Sequence, residues 1–137
     1  MNRFLPLVGG WCVLLIGLPV MGQETDWVPA PEPVIWRSLR DTHLPGADWR
    51  FVEAMRTDRA EAAEYLRRPR AVNDTVELEA GLLLRRAGQE AWTSRVLAMR
   101  AVCPEGRMER KDENGEWTPY PGRPGTVVKV RWICSLP

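Results

Sequence analysis

The stretch TVELEAGLLLR, residues 75–85, carries a clear alternation of apolar and polar side chains. Val76, Leu78, Ala80, Leu82 and Leu84 fall on one side, and Thr75, Glu77 and Glu79 on the other. A period of two puts successive side chains on opposite faces of an extended chain, so the stretch predicts a half-buried β-strand. RAGQE then supplies a turn. AWTSRVLAMRAVC, residues 91–103, continues as a second long strand in which Leu97, Met99, Ala101 and Cys103 share a face. A helix would also accommodate residues 91–101, where branched side chains are few, but the alternation favours the strand.

The neighbouring stretches complete a domain over residues 48–137. DWRFVEAMR, residues 48–56, sets Trp49, Phe51 and Met55 (with Glu53 as the polar exception) against Arg50, Val52, Ala54 and Arg56, which predicts a strand. In TDRAEAAEYLRRP, Asp58 and Glu61 have capping-box spacing, the following residues are good helix formers, and Pro69 ends the run. These signals predict one short helix over residues 58–68, with Ala62, Tyr65 and Leu66 as its buried stripe. After the DENG turn at Asn114–Gly115, TVVKVRWIC predicts a last strand with Val128, Val130, Trp132 and Cys134 on one side. The fold class expected is α+β: a small antiparallel β-sheet with one short helix and one disulfide.

Two segments precede that domain. Residues 1–22 place Arg3 before an apolar run interrupted by Pro6, Gly9, Gly10, Gly17 and Pro19, with short residues before a cut near Gly22. This pattern predicts a signal peptide and argues against a membrane-spanning helix, which needs roughly 20 apolar residues. Only an uncleaved leader would tie the chain to a membrane. Trp11 is too bulky to precede a lipid-carrying Cys12. Residues 23–47 hold Pro29, Pro31 and Pro33 at alternate positions between Trp27 and Trp36, and predict an irregular, extended Pro/Trp-rich arm. The expected location is periplasmic or extracellular.

Charge narrows the function classes. Without Arg3 the remaining chain holds 18 basic and 18 acidic side chains, spread evenly along it. The basic footprint of a nucleic-acid binder is missing. Seventeen of the nineteen basic residues are Arg, a bias that a GC-rich genome also produces. Discarding Cys12 leaves Cys103 and Cys134, and a lone pair in an exported protein is most often one structural disulfide. Closing a loop of that length restricts the unfolded chain by roughly 3–4 kcal/mol.

No catalytic, metal or cofactor motif stands out. His43 is the single histidine and falls in a Pro-Gly turn region, the two cysteines form no CxxC, and no Gly-rich loop precedes a helix. The carboxylates at Glu77, Glu79, Asp112, Glu113 and Glu116 sit where solubility alone would put them. An enzyme would need paired acids with raised pKa values in a concave site. Arg107, Arg110 and Lys111 are interleaved with acids and predict a mixed, solvated hairpin. The candidate binding patch is Trp27, Trp117 and Tyr120, because DWVPAP at residues 26–31 and EWTPYP at 116–121 share one pattern of acid, Trp and alternating Pro. Stiff Trp-Pro segments lose little entropy when fixed and suit contact with a peptide, glycan or partner protein. The plainer alternative, which the number of tryptophans favours, is that Trp27 and Trp117 pack on the sheet edges.

The succession DWRFVEAM, VELEAGLLLR, WTSRVLAMRAVC, GRMERKDENGEW and VRWIC resembles small secreted bacterial domains of the surface-adhesin E-like kind, over roughly two-thirds of the chain. The resemblance implies an antiparallel sheet with a helix, a Cys103–Cys134 disulfide, and non-enzymatic binding at the cell surface or in the periplasm. The chain departs from that pattern in its Trp/Pro-rich arm and in a shortened run before the last Cys, and a shared fold does not carry a shared ligand. The expected function is an exported binding domain of the cell envelope with an unknown ligand. The alternative is a periplasmic inhibitor or accessory subunit of an envelope enzyme.

Overall fold

Alternation in the 75–85 stretch yields the strand it predicts. In the computed structural model, which describes residues 26–137, β3 (Thr75–Arg86) pairs on one edge with β2 (Ala60–Val72) and on the other with β4 (Thr93–Val102). β1 (Arg50–Arg56), β5 (Arg107–Lys111) and β6 (Trp117–Pro119) extend these into one six-stranded sheet, antiparallel throughout and in chain order. Among the described residues two α-helices complete the fold, α1 (Val34–His43) and α2 (Thr126–Cys134). The expected signal peptide lies outside the described residues. Among the described residues no helix is long and apolar enough to cross a membrane.

The helices sit on opposite faces of the sheet. Val130 and Ile133 of α2 join Val52, Leu66, Val76, Leu78, Ala80, Met99 and Ala101 in one core. On the other face, Trp36 of α1 and Leu44 just after it pack with Trp49, Ala63, Tyr65 and Leu83. Gly81 has no side chain for a physical reason: a Cβ there would come within 2.9 Å of the Trp49 ring. The Tyr65 hydroxyl, inside this second core, donates to the Trp36 carbonyl at 3.2 Å.

Three expectations are corrected. Residues 58–68 form no helix. Thr57 Oγ1 accepts from the Arg59 and Ala60 amides, both at 3.1 Å, making Asp58–Arg59 a hairpin turn that leads into β2. Helix preference is worth only a few tenths of a kcal/mol per residue. Burying Tyr65 on one face and Leu66 on the other contributes roughly 1.5–3 kcal/mol each, and only a strand reaches both cores. Pro69 is tolerated because β1 pairing stops at Leu66, leaving no partner there for a backbone N–H, and because a bulge spans Arg67 to Arg70.

TVVKVRWIC, expected as a strand, is α2. Gly125 at φ +88° turns the chain into it, and the Thr126 hydroxyl donates to the Arg123 carbonyl at 2.7 Å. Val130 and Ile133, three apart, point into the core, a spacing that also fits a helix. The apolar row on β3, β4 and β5 needs a cover, and that burial outweighs the weak helix preference of branched residues. The arm is likewise not extended throughout, since residues 34–43 form α1 after Pro33, which occupies the cap position where proline does no harm.

Turn chemistry matches expectation elsewhere. Asp112 Oδ1 accepts from the amides of Asn114 and Glu116, and Gly115 takes φ +80° between β5 and β6. Cys103 and Cys134 are disulfide-bonded with Cα atoms 6.1 Å apart. Because TVVKVRWIC is a helix, the bond does not join two strands. Cys103 opens a 3₁₀ turn (Cys103–Glu105) after β4 and Cys134 ends α2, so the bond fastens the helix to the sheet.

Candidate functional site

Between the sheet and α2 lies a cavity of about 200 Å³. Its floor is the part of the sheet that α2 does not reach: Ala62 and Glu64 of β2, Leu82 and Leu84 of β3, with Val52 and Glu53 of β1 at one side. Tyr120 through Arg123, with Thr126 and Lys129 of α2, form the roof, and exposed Met55, Thr93 and Arg95 contribute to its wall. The walls are largely aliphatic, as in most small-molecule sites, with a few charged groups.

Those charges get there through strand geometry. Tyr65 belongs to the α1-side core, so its neighbour Glu64 points to the α2 side, in the row of Ala62 and Leu66. Glu53 arrives by a bulge. Phe51 pairs with Tyr65 and Glu53 with Glu64, so Val52 is an extra residue that shifts the alternation. Glu53 and Met55 therefore leave the face of Trp49 and Phe51, where simple alternation had put them, and line the cavity. Lys129 reaches down from α2 to pair with Glu53. Arg123 directs its guanidinium to the Met55 sulfur at 3.1 Å.

Glu64 is the unusual group. Burial raises its pKa above the ordinary carboxylate value; Lys129 opposes this, Glu53 reinforces it, and Arg123 opposes it more weakly. Sequence reasoning missed both acids. Glu64 lay on the polar side of the expected helix, and Glu53 was an exception on an otherwise apolar face. The signal for Glu64 was present in EAAEYL, where strand alternation puts it in line with Ala62 and Leu66.

The expected patch of Trp27, Trp117 and Tyr120 is divided. Trp27 packs edge-on against Trp132 of α2 with ring centres 5.7 Å apart. Tyr120 donates its amide to the Met108 carbonyl, and its side chain packs on the same core and lines the cavity. Trp117 lies on the opposite face, since it pairs with Lys111 in the row of Glu109 and Arg100. The Arg100 guanidinium stands 4.7 Å from its ring centre. His43, expected in a turn, ends α1 half-buried with its ring 6.5 Å from that of Trp92.

That opposite face is an ion-pair lattice. Arg70–Glu77 at 2.6 Å, Arg67–Glu79 at 2.7 Å and Arg100–Glu109 at 2.6 Å link neighbouring strands, and Arg107 adds a second cation to Glu109 from within β5 at 2.7 Å. The hairpin expected to be solvated therefore holds a buried acid, Glu109, at 7% exposure. Hydrogen bonds from Arg107, and then from Arg100, hold its carboxyl below the ordinary range against the cost of burial. Comparison with protein-family models, curated proteins and solved structures found no match for this chain.

Proposed function

We propose that the chain is an exported, non-enzymatic binding domain of the bacterial cell envelope, acting in the periplasm or outside the cell, and that its ligand occupies the cavity under α2. The observation that carries this reading is the cavity itself: concave, aliphatic and roofed by a helix that a disulfide fastens in place. Such a site arrives preorganised and spares a ligand the cost of ordering it. Export is supported by the leader pattern over residues 1–22 and by the disulfide, a bond that persists in oxidising compartments. The resemblance to surface-adhesin E-like domains supports the same placement.

One observation favours a second reading. Glu53 and Glu64 are neighbouring acids in a concave site, and one of them has a raised pKa, which is how acid–base enzymes are arranged. Binding remains the better account. Glu53 is already engaged by Lys129, and aliphatic walls offer few partners to a sugar or other polyhydroxylated substrate.

Cell fractionation combined with photo-crosslinking from a reactive residue at position 84 tests the proposal. A crosslinked ligand in the envelope fraction, from protein with both thiols oxidised, is the expected result. Recovery from the cytoplasm with free thiols would sink the export half, and absence of any adduct at position 84 the binding half. Turnover of a substrate that disappears in Glu64→Gln would replace binding with catalysis.

A further inference from the structure

Resting on that cavity-binding reading, we infer that the ligand is a small organic anion: a carboxylate on a short apolar chain. The chain lies against Ala62, Leu82 and Leu84, and the carboxylate at the mouth beside Arg123 and Arg95. The ground is the charge that lines the cavity. Three cations, Arg95, Arg123 and Lys129, meet two acids, Glu53 and Glu64. Lys129 and Glu53 pair with each other. That leaves two guanidiniums against Glu64, an excess of positive charge whether Glu64 is ionised or protonated.

Both arginines can take a partner. Among the described residues neither forms an ion pair, and both are exposed. The Arg123 guanidinium donates to the Met55 sulfur, a weak acceptor that a carboxylate readily displaces. The start of α2 adds to the positive field. Its first residue, Thr126, lines the cavity and donates its hydroxyl to the Arg123 carbonyl, and the helix has neither a side-chain cap nor an acid in its first turn. The partial positive charge of that helix end is left unanswered.

Register sets the orientation. Glu53, Glu64, Leu82 and Arg95 form one row from β1 to β4. Met55, Ala62, Leu84 and Thr93 form the next, one step farther from the α2 core that holds Leu78 and Ala80. Both acids thus lie in the inner row, on β1 and β2, whereas Arg123 reaches the outer row at Met55. A carboxylate turned inward would meet Glu64. Turned outward, it meets the guanidiniums while its chain stays on Leu82 and Leu84.

Volume sets the size of the apolar part. A cavity of about 150 Å³ elsewhere holds benzene, so about 200 Å³ here suits a short alkyl chain.

Calorimetry on the purified full-length protein with hexanoate, hexanol and hexylamine tests the inference at neutral pH, where the acid and the amine are both charged. Hexanoate is expected to bind about three- to tenfold more tightly than hexanol, the scale of a charge-assisted contact that solvent partly screens. Hexylammonium should bind most weakly. Added salt should narrow the margin between hexanoate and hexanol. Arg95→Gln combined with Arg123→Gln, both at exposed side chains, should bring hexanoate down to the level of hexanol. Ala62→Leu, which narrows the cavity, should weaken every probe that binds. Hexanol or hexylammonium binding as tightly as hexanoate, or an unaltered hexanoate affinity in the double variant, overturns the anion; if Ala62→Leu still abolishes hexanol binding, the cavity reading survives. Binding of none of the three overturns the anion and the cavity together.

Discussion

The two faces of the sheet carry charge in different ways. Under α1 and along the adjoining lattice, each strand glutamate meets an arginine across a strand boundary, and Arg67 and Arg100 also lie over tryptophan rings. Under α2, Glu64 is half-buried with no ion-pair partner among the described residues, beneath a helix held by a disulfide. Where charges are fully paired they hold strands in register. Where one is left unpaired and partly desolvated, its charged form is disfavoured and its pKa rises.

The comparison breaks most sharply at the disulfide. Replacing Cys103 and Cys134 by serine should cost about 2–4 kcal/mol in urea unfolding. Because the bond fastens α2, it should also loosen the cavity face selectively, with faster hydrogen exchange in α2 than in α1; equal acceleration on both faces would contradict the clamp. Gly81→Ala strikes the other face. The new methyl meets the Trp49 ring, so a loss of roughly 1–3 kcal/mol is expected, visible as a changed tryptophan environment in near-ultraviolet dichroism.

Acid separates the two faces by sign. Glu109 has a lowered pKa in the folded protein, so its contribution to stability is present above the ordinary carboxylate value and disappears as pH falls through the lowered one. Glu109→Gln should therefore destabilise by about 1 kcal/mol at neutral pH and have little effect in strong acid. Glu64 behaves in reverse. Its raised pKa favours folding while the carboxyl is protonated, and that advantage is lost as pH rises through the raised value. Glu64→Gln should leave acid stability unchanged and raise Tm by a few degrees at neutral pH. Parallel pH profiles for the two variants would erase the distinction between the faces.

How legible these features were depended on what each residue must satisfy at once. β3 and β4 were readable because one of their faces dominates the pattern, and the DENG turn because its side chains bond their own backbone. The cysteine pairing was readable because only two remained once Cys12 was assigned to the leader. β2 was not, because it buries Ala63 and Tyr65 on one side and Leu66 on the other, so its alternation vanishes and helix formers dominate. The branched residues of α2 suit a strand until the sheet has an apolar face that needs covering. Least legible was the cavity, since Glu53 enters it only through one extra residue at the bulge, which no periodicity announces.

Sheet order equal to chain order has a consequence for assembly. Each strand finds its partner in the segment made just before it, so pairing requires only short loop closures and the sheet can grow in step with a chain emerging from a pore. α2 then arrives after the whole surface it covers, and oxidation of the two thiols is the last locking event. A newly emerged molecule should thus pass through a stage in which the Glu64 face is open to solvent from edge to edge, when a large ligand could enter that the finished roof would exclude. Pulsed hydrogen exchange during refolding should find β2 and β3 amides protected before those of α2; the opposite order would rule out that open stage.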